Sequence, residues 1–341
     1  MPVGRPGNTY SRRTPWRGLV MLALGLMIGS APASAQNASL EDLLGAVVQV
    51  KTFINPDGRT VENLGQSREG SGVVIDDNGL ILTIGYLMVE AHSAEIRTAS
   101  GKAVPADIVG YDYESGFGLL RTIEPLKIKP MPIGKSADVK ERERLLIASF
   151  GGQASVLPVN VISIREFAGS WEYLLNDAIF TGPPHPAWSG AALINREGKL
   201  VGVGSLIVGN TTGRVDNTPG NMFVPIDKLT PVLADLIADG RPSGAARPWL
   251  GITTTEARGR LVVGQVTPGG PAEKAGISRG DEIVGVNGVA AKTLAEFYRQ
   301  IWAQGAAGVT VPLDVIQNNN SRRVEVPSMN RLDHLKLKST F

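Results

Sequence analysis

The sequence of 341 residues contains no cysteine and only three histidines, His92, His185 and His334. The absence of cysteine excludes disulfide cross-links, thiol catalysis and thiolate metal sites, so stability must come from hydrophobic cores. Aromatic residues make up only 6% of the chain, and no basic run is interleaved with them, which makes nucleic acid a poor candidate partner. With 43% hydrophobic residues the chain is long enough for two cores. Nothing in the sequence implies a metal or an organic cofactor.

The first 35 residues have the features of a removable signal peptide. Four arginines and no acidic residue precede an apolar stretch at residues 18–30, and Ala33-Ser34-Ala35 supplies small residues for cleavage. Because the apolar stretch is too short to span a bilayer, we expect a periplasmic or otherwise exported chain without a stable membrane span; a single N-terminal anchor is the alternative. Ser11-Arg12-Arg13 also resembles a twin-arginine signal, and the export route stays open. Removing the leader changes the formal charge from +2 to about −2.

Many short β-like segments, separated by turns rich in Gly, Asp and Asn, follow a short helical opening at residues 39–44. The long helical patterns that parallel α/β units require are missing, so we predict a mostly β chain with an antiparallel, barrel-like first module. This module is expected to end in one amphipathic helix from about Ile226 to Ala238. A linker at residues 239–248 precedes a second module, in which Asn318-Asn319-Asn320 indicates an exposed hairpin tip. The clearest predicted strands are Ala46–Val50, Gly72–Ile75, Leu80–Thr83, Leu145–Ala148, Val161–Ile164 and Leu200–Val203.

The stretch from Gly70 to Thr83 (GSGVVIDDNGLILT) resembles the start of the HtrA/Deg serine proteases. Pro186 to Leu193 (PAWSGAAL) resembles the region around the nucleophile of that family, and Asn221 to Ile226 resembles the strand that enters its terminal helix. The resemblance covers nearly all of residues 40–238. It implies a chymotrypsin-like double β-barrel over residues 36–238.

The resemblance also locates the three positions of a Ser-His-Asp triad. Ser189 stands at the nucleophile position, but Tyr86 replaces the histidine of T-N-N-H-V and Gly116 replaces the aspartate of T-D-L-A. Activation of a serine needs an imidazole base, a carboxylate that orients it and backbone N–H groups that meet the oxyanion. A phenol with an ordinary pKa near 10 is a poor acceptor of the serine proton. In the oxyanion-hole region, Ala187, Trp188 and Ser189, an alanine also replaces a flexible glycine.

Other residues are candidates for the missing base. His185 lies four positions before Ser189, between two prolines, in a register that belongs to the wall of the site. His92 follows Tyr86 across a short turn, and His334 lies near the C-terminus. Residue type alone leaves a Ser–Lys dyad open, although no lysine occupies a catalytic position of the family. We therefore expect proteolysis to be absent or very weak.

The second module resembles the PDZ domains appended to these proteases. Residues 266–277 resemble their S-P-A-x-x-A-G-L/I turn and short helix, and residues 280–288 match G-D-x-I-hydrophobic-x-hydrophobic-N-G. The resemblance implies a small β-barrel with two helices at residues 249–330, followed by a tail at residues 331–341.

The expected peptide-binding residues of this module are Trp249, Leu250, Gly251 and Ile252. Such a loop turns successive N–H groups toward the C-terminal carboxylate of a peptide, and the following strand pairs with the ligand. A helix at about Leu294 to Ala303 is expected to wall the groove. The alternative is a PDZ fold that serves only oligomer contacts or covers the first module.

The leading hypothesis is a pseudoprotease of the HtrA type that binds free C-termini or unfolded segments of exported proteins. It would act as a holdase, an adaptor or a regulator of active relatives. An active endopeptidase that uses Ser189 with a non-standard base is the second hypothesis, and a structural subunit of a mixed HtrA-type oligomer is the third. The resemblance implies a trimer, but residues 36–50 lack the aromatic side chains that often build its contacts, so the oligomeric state stays open.

Overall fold

A computed structural model of the chain describes residues 39–214 and 217–337, so the predicted leader lies outside the described residues. The described chain is mostly β, as predicted. The helices are α1 Leu40–Gly45, α2 Val61–Leu64, α3 Leu233–Asp239, α4 Pro271–Lys274, α5 Leu294–Trp302 and α6 Arg331–His334. The strands are β1 Val47–Ile54, β2 Ser67–Val74, β3 Leu80–Ile84, β4 Ala91–Arg97, β5 Ala103–Tyr111, β6 Phe117–Thr122, β7 Arg144–Ala148, β8 Val156–Gly169, β9 Tyr173–Gly182, β10 Ala192–Ile194, β11 Leu200–Val208, β12 Gly220–Pro225, β13 Ile252–Ala257, β14 Arg260–Val266, β15 Glu282–Val286, β16 Val289–Ala290, β17 Thr310–Gln317 and β18 Asn320–Pro327.

The first six strands form a closed antiparallel barrel in the order β1-β2-β3-β6-β5-β4. Strand β1 closes it by pairing with β2 on one side and β4 on the other. Closure leaves no free sheet edge, and the enclosed core is filled by branched and aromatic side chains such as Val50, Ile81 and Phe117, which are all fully buried.

A second closed barrel follows in the order β10-β11-β12-β9-β8-β7. Its longest strands are the neighbours β8, with 14 residues, and β9, with 10 residues. Their pairing extends to Gly169 opposite Tyr173, so the chain reverses at Ser170-Trp171-Glu172. We call residues 169–174 the β8–β9 tip.

The prediction of a single amphipathic helix from Ile226 to Ala238 is wrong. The chain forms a 3₁₀ turn at Ile226–Lys228 and then the short helix α3. Pro231 lies between them, and proline supplies no N–H for a continuous helical ladder. The apolar face is nevertheless used, because Leu229 and Leu236 are buried in the barrel core.

The remaining strands form one sheet in the order β13-β14-β15-β17-β18, with β16 paired to β15. Helix α5 begins with a capping box, in which Thr293 and Glu296 satisfy the first N–H groups, and it packs on the sheet through Phe297 and Ile301. The β17–β18 hairpin turns at Asn318 and Asn319, both with positive φ, which confirms the predicted tip.

The barrels and this sheet lie in one compact unit. No helix within residues 39–214 and 217–337 is both long and apolar enough to cross a membrane.

Candidate active site and peptide groove

Ser189 lies on the loop between β9 and β10 and touches both barrels. Its carbonyl accepts a hydrogen bond from the N–H of Ser71 on β2 at 2.8 Å, while the N–H of Gly190 donates to Gly204 on β11 at 2.9 Å. A Cβ at Gly70 would lie 3.0 Å from Ser189 Oγ, so β2 packs closely against the serine. The half-buried Ser189 faces a cleft of about 570 Å³ that Phe150 also lines. We call this cleft the serine cleft.

Tyr86 occupies the place from which a base would act on Ser189. Its 3₁₀ turn, Gly85–Leu87, directly follows β3, and the guanidinium of the buried Arg68 donates to the Tyr86 carbonyl at 2.7 Å. The single O–H of the Tyr86 phenol is shared between two acceptors, Ser189 Oγ at 2.8 Å and the Ser205 carbonyl at 3.0 Å. Burial raises the pKa of Tyr86 to about 12, against smaller lowering by its hydrogen bonds. The phenol therefore keeps its proton at neutral pH.

Gly116 lies just before β6, where its backbone conformation and its packing both disfavour a side chain. Its φ is +83°, a conformation that strains most side chains, and a Cβ there would lie 3.3 Å from the Tyr173 hydroxyl. That hydroxyl donates to the Ser115 carbonyl at 2.7 Å. The Gly116 carbonyl meanwhile accepts from the Gly85 N–H at 2.7 Å, which fixes the turn that carries Tyr86.

In the predicted oxyanion-hole region, the N–H of Ala187 is already engaged by His185. The N–H of Ala187 donates to Nδ1 of His185 at 3.0 Å, and the backbone of His185 is held by Asn221 through bonds of 2.6 and 3.1 Å. Burial lowers the pKa of His185, opposed by a hydrogen bond with the Ser155 backbone. The imidazole is therefore a neutral acceptor for Ala187, and the side-chain hydrogen bond at Ser189 Oγ comes from Tyr86.

The other candidate bases lie elsewhere. His92 is exposed on β4, and His334 is buried on α6 with its ring centroid 4.9 Å from that of Trp249. Among the described residues, no histidine or lysine lines the serine cleft. Residues 39–214 and 217–337 also contain no group of three or more His, Asp or Glu side chains placed to hold a metal ion.

Residues 249–252, which we call the carboxylate loop, turn three successive N–H groups toward one point. Leu250 N–H donates to Glu172 Oε2 at 2.9 Å, and Gly251 and Ile252 donate to Glu172 Oε1 at 2.8 and 3.0 Å. Gly251 has φ +80°, and a Cβ there would meet the Trp249 ring at 3.1 Å. The expected convergence of N–H groups is thus present, but the carboxylate between them belongs to the β8–β9 tip.

Trp249 has a different environment from the other three predicted residues. Its backbone pairs with Met329 in both directions, at 3.0 and 3.2 Å. Its indole is buried against His334 and under the Arg331 guanidinium. Trp249 therefore anchors the start of the loop to the C-terminal segment.

Sequence reasoning missed Glu172 because its partners lie 78–80 positions away in the chain. The only local signal is an acidic residue at a hairpin turn, which usually indicates an exposed position. Here burial raises the pKa of Glu172 to about 6, although the N–H groups of Leu250, Ile252 and Gly251 favour the charged form.

Two family models match the chain. One is described as a trypsin-like peptidase domain and matches residues 70–203, and the other is described as a PDZ domain and matches residues 248–327. The first runs from β2 into β11 and includes Tyr86 and Ser189, and the second begins directly before the carboxylate loop.

The chain is similar to known serine endoproteases. It is 28% identical over 314 residues to a probable periplasmic serine endoprotease DegP-like of Pseudomonas fluorescens, which covers 86% of this chain and 64% of the relative. It is 26% identical over 269 residues to the serine endoprotease DegS of Haemophilus influenzae, covering 74% of this chain and 76% of the relative. The chain spans about three fifths of the length of several such relatives.

Solved structures show the same fold. A serine endoprotease from Yersinia pestis superimposes with a TM-score of 0.50 and 24% identity, over 86% of this chain and 98% of that one. The HtrA-type protease AlgW with decapeptide gives 0.51 and 21% identity, over 89% and 100%. The chain thus combines a trypsin-like peptidase domain with a PDZ domain and is similar to DegP-like and DegS serine endoproteases.

Proposed function

We propose that this chain is a non-cleaving member of its family that works by binding exported polypeptides. The observation that carries the proposal is the hydrogen bond from the Tyr86 phenol to Ser189 Oγ. A base must accept the serine proton, whereas this phenol has one proton of its own, which it directs at Ser189 Oγ and at a second acceptor, the Ser205 carbonyl. Ionising Tyr86 would place a phenolate beside that carbonyl oxygen.

The two other groups that the reaction needs, an oxyanion donor and an orienting carboxylate, are also engaged or missing. The N–H of Ala187 is bound to His185, and Gly116 carries no carboxylate. Loss of a single oxyanion donor lowers kcat by about 10²–10³, and loss of a triad base lowers it by about 10⁶. Since these losses concern groups that act together, the residual reaction expected at Ser189 is negligible.

The PDZ domain retains the groups that binding requires. Three N–H groups of the carboxylate loop already hold a carboxylate at ordinary hydrogen-bond distances. Strand β13, which follows the loop, is the edge strand of its sheet and is therefore able to pair with an extended peptide. We propose free C-termini and unfolded segments as ligands. The predicted leader at residues 1–35 and the periplasmic relatives support an exported location.

The proposal is tested with a fluorophosphonate probe on the full chain and its Ser189→Ala variant, together with an active HtrA-type relative. We expect labelling of the relative and the same background for both forms of this chain, with no cleavage of casein. Labelling and casein cleavage that depend on Ser189 would establish the endopeptidase alternative instead. Competition between a peptide acid and its C-terminal amide then tests the ligand: the acid should bind more tightly.

A further inference from the structure

The β8–β9 tip reaches from the second barrel into the groove of the PDZ domain. Besides the Glu172 carboxylate on the carboxylate loop, the Ser170 carbonyl accepts a hydrogen bond from the N–H of Thr254 on β13 at 2.8 Å. The tip therefore contacts the edge strand through its backbone, which is how an extended peptide ligand is held in this mode of recognition.

Helix α5 contacts the tip from the opposite wall. The Tyr298 hydroxyl donates to the Gly169 carbonyl at 2.7 Å and accepts from the Glu172 N–H at 3.2 Å. Arg299 forms an ion pair with Glu166 and reaches the Asn176 side chain at 3.3 Å, so both strands of the hairpin are held beside the helix.

An apolar side chain of the tip completes the contact. Leu174 is 9% exposed and belongs to the same buried cluster as Leu250, Ile252 and Phe297. The hairpin thus supplies a carboxylate, a backbone pairing group and an apolar side chain. These are the three elements by which a free C-terminus is recognised.

We propose that the β8–β9 tip is an intramolecular ligand of the PDZ domain, and that an external C-terminus binds only by displacing Glu172 from the carboxylate loop. This inference rests on the proposed function and adds the regulation of the same site. A cleft of about 1020 Å³ adjoins the tip, with Glu172, Leu174 and Arg331 among its lining residues. It offers space into which the displaced side chains can move.

The tether gives the tip an advantage over a free peptide. A covalently attached competitor has an effective concentration of about 1 mM or more, and the measured Kd of an external ligand is its intrinsic value divided by the fraction of open groove. Helix α6 further stabilises the closed form, in which the tip lies in the groove. Its Arg331 donates to the Trp171 carbonyl at 3.2 Å and stacks 4.0 Å above the Tyr113 ring. The closed form is therefore favoured until a ligand of sufficient affinity or concentration competes.

The test measures binding of a fluorescein-labelled decapeptide that ends in a free-acid leucine to the full chain and to three variants. Glu172→Ala removes the internal carboxylate, and Glu172→Gln keeps its shape if the alanine variant fails to fold. Asp177→Asn is the matched control, because Asp177 lies on the same hairpin but pairs with Lys228 at 3.0 Å. Fluorescence anisotropy gives Kd, and hydrogen exchange reports the N–H groups of residues 250–252.

We expect Glu172→Ala to bind the peptide at least tenfold more tightly than the parent chain, with Glu172→Gln in between and Asp177→Asn unchanged. Exchange at residues 250–252 should rise in the two Glu172 variants alone. Unchanged affinity and unchanged exchange in those variants would overturn the internal-ligand proposal. Faster exchange without binding of the acid by any variant would uphold the internal ligand and overturn the proposed peptide-binding function. Equally tight binding of the acid by all forms would uphold the proposed peptide-binding function and overturn the internal-ligand proposal.

Discussion

The serine cleft and the PDZ groove are both occupied by side chains of the chain itself, but the two occupants differ in kind. In the serine cleft, by our proposal, Tyr86 takes the position of the base that the reaction needs, so a movement of the phenol restores no function. In the groove, Glu172 covers N–H groups that remain intact and correctly aimed. Replacing the base removes hydrolysis, whereas covering the N–H groups leaves binding possible once Glu172 is displaced. We therefore infer that the PDZ domain is the working surface of the molecule.

The strongest attempt to break this comparison is to restore the triad with the double variant Tyr86→His, Gly116→Asp. We expect casein hydrolysis to stay about 10³-fold or more below that of an active relative, because the Ala187 N–H still binds His185. The aspartate would also be strained at φ +83° and crowded by the Tyr173 hydroxyl. The same double variant with Ser189→Ala is the control. Cleavage that depends on Ser189 and comes within tenfold of the relative would contradict the prediction.

A pH titration sharpens the comparison on the side of the groove. The docked Glu172 carboxyl has a pKa of about 6 against an ordinary value of 4.5, so docking binds protons and is favoured below pH 4.5 and weakened as the pH rises through 6. The groups that face it are the Arg331 guanidinium and the phenols of Tyr298 and Tyr113, and burial raises the pKa of both phenols further above neutrality. We expect the parent chain to lose roughly tenfold in affinity for the peptide acid from pH 7 to pH 5, relative to Glu172→Ala. Parallel curves for the two forms would argue against a titrating internal ligand.

Paired tyrosine substitutions give the smallest expected effect. Tyr298→Phe removes the hydroxyl that bridges Gly169 and Glu172, and a lost hydrogen bond of about 1 kcal/mol should open the groove roughly fivefold. Tyr86→Phe removes a hydroxyl of the serine cleft and should leave the affinity for the peptide unchanged. Anisotropy with the same decapeptide distinguishes the two. An equal effect of both variants would mean that the two sites are not independent.

Much of the fold was predictable because its determinants are local. Short β segments between Gly, Asp and Asn turns indicated the barrels, and the Asn318–Asn319 turn indicated the last hairpin. The break between Ile226 and Ala238 was not predicted, because the periodic leucines indicate one continuous helix and Pro231 interrupts it. At the site, the family resemblance pointed to Tyr86, Gly116 and Ser189, and the structure brings Tyr86 against Ser189.

The contacts that decide the state of each site were beyond the sequence. Glu172 meets residues about 80 positions away, and the bond from Ala187 to His185 depends on how a proline-flanked loop folds back on itself. Local pattern carries no information on either contact. The first contact is set by tertiary packing and the second by the conformation of one irregular loop, and composition and periodicity encode neither.

The conformation of Gly116 also has a consequence for descent. A point mutation that returned histidine to position 86 would meet a glycine that cannot accept a carboxylate without strain and an Ala187 N–H already in use. Neither single reversal would improve hydrolysis enough for selection to retain it. Packing of Tyr173 against Gly116 therefore opposes the return of an aspartate at position 116. We expect proteins that carry this packing to diversify through the PDZ domain rather than to regain cleavage.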